Sequence, residues 1–138
     1  MGAVHTVTAG PDAPEEIVDL TDGGAHVSVD ALGSAATTIP GILSLRTRGR
    51  HLRLGASNKK EQGQINIPVD VFTFRELSFV GSFGMQAARY PEMLGMVESG
   101  KLNPGLMVGD TVDLEATSDI IASMADYDTV AMSVITEF

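Results

Sequence analysis

The sequence predicts an α/β protein: a parallel sheet wound with helices, followed by a small C-terminal α+β segment. Three observations predict it. First, Ala25 to Ala56 reads as strand, tight turn, helix and strand. Two strands joined through a helix in so few residues pair most readily in parallel, with a right-handed crossover. Second, 43% of the residues are hydrophobic but only 5% aromatic, with no Trp, so the core must be built from Val, Ile, Leu, Met and Ala. Third, a chain of 138 residues suits one domain or two small lobes, and is expected to bury roughly 70% of its unfolded surface. The pattern changes character near residue 84, dividing a sheet domain over 1–84 from a segment over 85–138.

The elements follow in order. Val4-His5-Thr6-Val7 reads as a short strand, and Gly10-Pro11-Asp12 as a turn. Ala13 to Leu20 reads as a helix. Pro14 suits its first turn, Glu15 and Glu16 suit its positive end, and Ile17, Val18 and Leu20 are apolar. His26 to Leu32 is a strand closed by Gly33. Ser34 caps a helix expected over 34–48, with Ile39 and Leu43 at helical spacing and Gly49 at its end. Pro40 costs about 3 kcal/mol inside a helix. Either the helix starts near Ile39, or Pro40 lies in its first turn, or the helix kinks. His51-Leu52-Arg53-Leu54 begins the next strand, closed by Gly55. Asn58 to Gly63 is a polar loop. Residues 64–67 alternate as a strand that Pro68 confines to an edge, 69–75 form a helical turn, and 77–83 form the third central strand. Pro91 opens a helix carrying Met93, Leu94 and Val97. An extended stretch over 107–114, a helix over 115–126 and a strand over 129–138 follow.

The formal net charge is −9, and the only lysines are Lys59, Lys60 and Lys101. Nucleic-acid binding needs clustered Lys and Arg, so that class is excluded. The one basic run, Arg46 to Arg50 with Arg53, is expected to complement a helix C-terminus. Without cysteine the chain has no disulfide and no thiolate metal site. No apolar run reaches membrane-span length. The first residues lack a basic region followed by an apolar stretch, so no signal peptide is expected and the default location is the cytoplasm.

Several literal segments then carry a resemblance. They are His26-Val27-Ser28-Val29-Asp30-Ala31-Leu32-Gly33, Leu43 through His51, Gly84-Met85-Gln86-Ala87, Arg89-Tyr90-Pro91-Glu92-Met93, Met96 through Leu102 and Val134 through Phe138. Together they resemble the C-terminal half of the zinc-type, medium-chain alcohol dehydrogenases. The resemblance implies a partial Rossmann-type, doubly wound sheet, entered near its third strand, and a C-terminal segment that returns toward the catalytic lobe. It implies an NAD(P)-dependent hydride transfer in the complete enzyme. It also implies that the zinc-holding Cys, His and Glu residues and the Gly-rich phosphate turn belong to a half not present here. On this reading the chain has no catalytic residue and no metal ligand of its own. It is inactive alone, and its NAD(P) binding is weak or absent. The alternative is a non-catalytic remnant serving as an oligomerisation or interaction module.

By position, the resemblance assigns the nicotinamide side to Ala31, Leu32 and Gly33, to Leu54, Gly55 and Ala56, and to Ser82 and Phe83. In a parallel sheet these strand ends are where ligands sit, and small residues leave room for a ligand. The bland reading is that Gly33 and Gly55 only make strand-to-helix turns. Near the last strand, Val130 to Ser133 offers no Arg or Lys for a cofactor phosphate. His5, His26 and His51 lack metal spacing and are read as strand-end or surface residues. No carboxylate pair stands in an apolar context, and Ser57 and Ser82 have no base beside them. The 64–83 region matches the place where family members dimerise by extending the sheet, so a homo-oligomer is expected there. The Rossmann order 3-2-1-4-5-6 would leave the 26–32 strand with a bare edge. The 4–7 segment, a separate N-terminal fragment or a second copy would then cover it.

Overall fold

The computed structural model describes residues 2–56, 61–124 and 131–137. Expectations that fall on 57–60, 125–130 and 138 lie outside the described residues, Ser57 and part of the Val130–Ser133 stretch among them. The chain divides into two units, Gly2–Gly84 and Met85–Phe138.

In the first unit, α1 spans Ala13–Leu20, with Pro14 in its first turn beside Glu15 and Glu16. After it come β1 (Ala25–Asp30), α2 (Ala35–Leu43), β2 (Leu45–Arg53), α3 (Val69–Arg75) and β3 (Ser78–Gly81). The sheet order is β1-β2-β3, and both pairings are parallel, with Val29 opposite Leu52 and His51 opposite Phe79. This is the predicted α/β architecture, a parallel sheet with helical crossovers. Alternation along the strands sets the faces. Ser28, Asp30, His51 and Phe79 point to the helical side, where Phe79 lies 5.1 Å from the His51 ring and 6.4 Å from the Phe72 ring of α3.

The buried side chains lie between Ala13 and His51: Ile42, Leu45, His51 and Thr38 are nearly or fully inaccessible. The expected burial is not reached. Two separate compact domains of these sizes would expose roughly 8,000 Å²; this chain exposes 10645 Å².

Four elements depart from expectation. The 34–48 helix ends at Leu43, and the strand expected at His51 starts at Leu45. Pro40 stands within α2, where its missing N–H deprives the Ala36 carbonyl of its helical donor. Leu45, 1% exposed, is worth more in the sheet than in another helical turn. The Arg46–Arg50 run therefore complements no helix terminus. It lies on β2 where the register jumps, two residues of β1 matching five of β2, with Arg48 left-handed at φ 63. The last carbonyl of α2 is met instead by Arg75, whose Nη1 donates to Leu43 O at 3.1 Å and also to Leu45 O, at the start of β2, at 3.2 Å. Residues 4–7 and 64–67 are not strands. Residues 64–67 alternate and 4–7 carry two valines, but neither stretch has a neighbouring strand to complete its hydrogen bonds.

In the second unit, α4 (Tyr90–Glu98) leads through a 3₁₀ turn (Pro104–Met107) to β4 (Val108–Asp113), α5 (Thr117–Met124) and β5 (Met132–Glu137). β4 and β5 pair in parallel. Asp113 starts α5, its carboxylate accepting the Ala116 N–H at 2.8 Å. Among the described residues, no helix is long and apolar enough to cross a membrane.

Candidate functional site at the strand ends

Asp30 closes β1 and organises the turn that follows. Its Oδ1 accepts the N–H groups of Leu32 at 3.1 Å and Gly33 at 2.8 Å, and the Thr37 hydroxyl at 2.9 Å. Its Oδ2 accepts the Thr38 hydroxyl at 2.5 Å. Burial pushes the carboxyl pKa up, but hydrogen bonds from Thr38, Gly33, Thr37 and Leu32 outweigh it and hold the group below its ordinary 3.8. Asp30 is therefore a buried carboxylate met by four donors, three on Oδ1 and one on Oδ2.

Arg53 closes β2 against the same turn. One nitrogen donates to the Thr38 hydroxyl at 2.7 Å and another to the Gly33 carbonyl. The Asp30 carbonyl accepts Leu54 N at 2.9 Å and Gly55 N at 3.1 Å, and Ser82 N donates to Arg53 O at 2.9 Å. Three strand ends are thus bound into one rigid edge.

All eight sequence-assigned residues stand on that edge. Ala31, Leu32 and Gly33 form the turn after β1; Leu54, Gly55 and Ala56 follow β2; Ser82 and Phe83 follow β3. Leu32, Leu54 and Phe83 are exposed, Phe83 completely. The glycines, however, do not leave space for a ligand. A Cβ on Gly33 would lie 2.3 Å from the Gly55 carbonyl carbon, and one on Gly55 2.2 Å from that of Leu32. The two backbones occupy the room that the small residues create. Beside them the α2 N-terminus is already met by a carboxylate, Ala35 N donating to Glu61 Oε1 at 2.5 Å.

His51 overturns its assignment as a strand-end or surface residue. It sits within β2, with no exposure, its Nδ1 2.8 Å from Ser28 Oγ, and its Nε2 buried without a partner. Burial lowers its pKa below 6.5; the nearby Asp30 charge pulls it up and Arg53 pushes it down. It is a neutral core imidazole. His26 is an exposed strand residue whose Nε2 lies 3.0 Å from Arg46 Nη1. Among the described residues no three His, Cys, Asp or Glu side chains gather as a metal site.

Sequence reasoning missed Asp30, Thr38 and Arg53 as the frame of the edge. The only available signal was an Asp two residues before a turn, Thr residues one helical turn beyond, and an Arg at the next strand end.

The comparisons decide the family. A zinc-binding dehydrogenase family model matches residues 1–99. The chain belongs to this family. The zinc-type dehydrogenase resemblance in the sequence is thereby confirmed. A probable alcohol dehydrogenase of Mycobacterium tuberculosis is 26% identical over 125 residues, covering 90% of this chain and 34% of that protein. The crystal structure of an NAD-dependent alcohol dehydrogenase superposes with a TM-score of 0.79 at 29% identity, covering 94% of this chain and 36% of the other. The alcohol dehydrogenase of the archaeon Aeropyrum pernix gives a TM-score of 0.80 at 24% identity, covering 98% and 38%. This dehydrogenase-family chain spans about a third of the length of the relatives it matches.

Proposed function

We propose that this chain is the C-terminal portion of an NAD(P)-dependent zinc-type alcohol dehydrogenase, and that it turns over only with the remainder of such an enzyme. The observation that carries the reading is the edge itself. Leu32-Gly33, Leu54-Gly55 and Ser82-Phe83 stand together at the carboxyl ends of three parallel strands, the position where open α/β sheets take ligands. The similarity to an NAD-dependent alcohol dehydrogenase supports it.

The residues present suit one side of a nicotinamide and not a whole cofactor. Leu32, Leu54 and Phe83 offer exposed apolar surface, and backbone groups of Ala31, Ala56 and Ser82 border it. The bound cofactor supplies hydride acceptance. This chain's part is to hold the ring's edge on a frame fixed by Asp30, Thr38 and Arg53. Zinc finds no fit among the described residues: the sequence has no cysteine, and His51 is enclosed by Ser28 and Phe79. No step through zinc is assigned to this chain.

The edge of β3 carries the proposed homodimer contact. Phe79 and Val80 are 40% and 38% exposed on a four-residue strand with no outer neighbour. The 64–67 stretch is part of the same proposed contact: Ile67 is 37% exposed, and Ile65 and Ile67 line a small pocket with Thr38, Arg53 and Phe79.

Thermal unfolding with NADH tests the reading. Ligand at one hundred times its dissociation constant stabilises by about 2.7 kcal/mol, or roughly 10 °C for a domain of this size. The chain alone shifts little. Mixed with the zinc-carrying N-terminal part of a relative, it shifts by that amount. An unmoved midpoint in the mixture contradicts the proposal.

A further inference from the structure

His51 is fully buried, yet its Nε2 has no hydrogen-bond partner among the described residues. Buried polar atoms are ordinarily paired, so such an atom needs an explanation.

The setting of the ring shows where Nε2 aims. On its strand His51 stands between Ser28 of β1 and Phe79 of β3. Its Nδ1 lies 2.8 Å from Ser28 Oγ, and its Cε1 is the atom nearest to a Cβ built on Gly41 of α2. The two nitrogens of an imidazole flank Cε1 and point to nearly opposite sides of the ring. Nε2 therefore aims away from β1, between Phe79 and α2. A cavity of about 240 Å³ has Phe79 and Thr38 of α2 among its walls, together with Arg53, Ile65 and Ile67. One water takes about 30 Å³ of liquid, so the space is several times too large for a single water. It is smaller than the roughly 300–1,000 Å³ of a drug-sized pocket, so it suits one ring or a short chain.

The walls set the chemistry of the occupant. Ile65, Ile67 and Phe79 are apolar. Arg53 is the charged wall. A guanidinium has five N–H donors; one nitrogen of Arg53 serves the Thr38 hydroxyl and another the Gly33 carbonyl, which leaves donors for a ligand. Burial keeps His51 neutral, so one ring nitrogen carries the proton. With the Ser28 hydroxyl donating to Nδ1, that proton is on Nε2 and makes a second donor. Two donors, one of them a guanidinium, beside an apolar slot match a carboxylate with a hydrocarbon tail. The Asp30 carboxylate behind Thr38 already has four donors of its own.

We infer that the cavity beside residues 63–67 binds a small monocarboxylate. Its oxygens accept from Arg53 and from His51 Nε2–H, and its hydrocarbon part lies against Ile65, Ile67 and Phe79. The site adjoins the strand-end edge through Arg53, which also holds the Gly33 carbonyl.

The test is titration of the full chain with sodium benzoate, followed by calorimetry and by isotope-edited NMR of the histidine rings. The expected result is one benzoate per chain and a shifted Nε2–H resonance at His51, with the exposed His26 ring beside Arg46 unmoved. Benzamide has the same shape without the charge, and binds at least about tenfold more weakly because a charge-assisted pair is lost. Ile65→Trp fills the cavity and weakens benzoate at least about tenfold, with circular dichroism checking that the variant is folded. The benzamide and NMR comparisons need only the unaltered chain. Absence of saturable binding, equal binding of benzamide, a shift at His26 instead of His51, or unchanged affinity in folded Ile65→Trp each overturns the inference.

Discussion

Gly33 and Gly55 stand backbone against backbone, so close that a Cβ on either would overlap the main chain beside the other. Gly33 also has φ +82, a conformation that only glycine adopts without strain. This contact joins the turn after β1 to the end of β2, and it explains both glycines without a ligand.

Substituting either glycine by alanine should therefore unfold or strain the 2–84 unit, at a cost of about 3 kcal/mol or more. Gly95, within α4, meets nothing within 4 Å. Its change to alanine should stabilise by about 0.5–1 kcal/mol. Urea unfolding of the three variants checks both statements; equal effects at Gly33 and Gly95 would refute the contact's importance.

Asp30 should be the costliest polar residue to alter. Asp30→Asn replaces one acceptor oxygen by a donor that faces either the Thr38 hydroxyl or the turn's N–H groups, and a loss of about 2–3 kcal/mol follows. Thr38→Val removes one donor to Asp30 and the hydroxyl that accepts from Arg53, but it leaves Asp30 its three other donors and should cost less. Paired denaturation curves at neutral pH order the two.

Acid should destabilise the first unit in two stages. His51 has a folded pKa held below 6.5 by burial, so the unfolded chain binds the proton first. Its contribution is complete above about pH 6.5 and is lost as pH falls below that toward the folded value. Asp30, also held low, contributes above its ordinary value of 3.8 and loses that contribution only as pH falls further. His51→Leu should remove the first stage and leave the second. Stability measured against pH from 7.5 to 3 resolves them; an unchanged slope between pH 7 and 5 in the variant would place the first stage elsewhere.

How much of this was readable in the sequence depends on how local the signal is. The limits of α1 followed from Pro14, Glu15 and Glu16, which act within one turn. Strand β2 was misplaced because Leu43 and its neighbours keep helical spacing; the burial of Leu45, and of His51 against Gly41 of α2, decides the matter, and that depends on the folded chain. Residues 64–67 alternate like a strand and 4–7 read as a short one, yet a strand exists only with a partner. At the candidate site the glycines fall at the strand ends, where backbone packing accounts for them. The Asp30, Thr38 and Arg53 frame was hidden because its members come from three elements and meet only after folding.

The edge of β3 predicts the oligomer. Val80→Lys should turn a dimer into a monomer in sedimentation equilibrium without loss of helical signal, since Val80 is exposed within the chain and an unpaired lysine at a sheet-extending contact costs about 2–5 kcal/mol. A wild-type monomer, or a variant that stays dimeric, rules out that contact.

The most direct measurement is alcohol-dependent NADH formation, followed by absorbance, with this chain, with the zinc-carrying N-terminal part of a relative, and with their mixture. The account predicts no turnover from either part and turnover from the mixture, diminished by Gly33→Ala. Turnover by this chain alone, or a folded mixture that stays inactive, contradicts it.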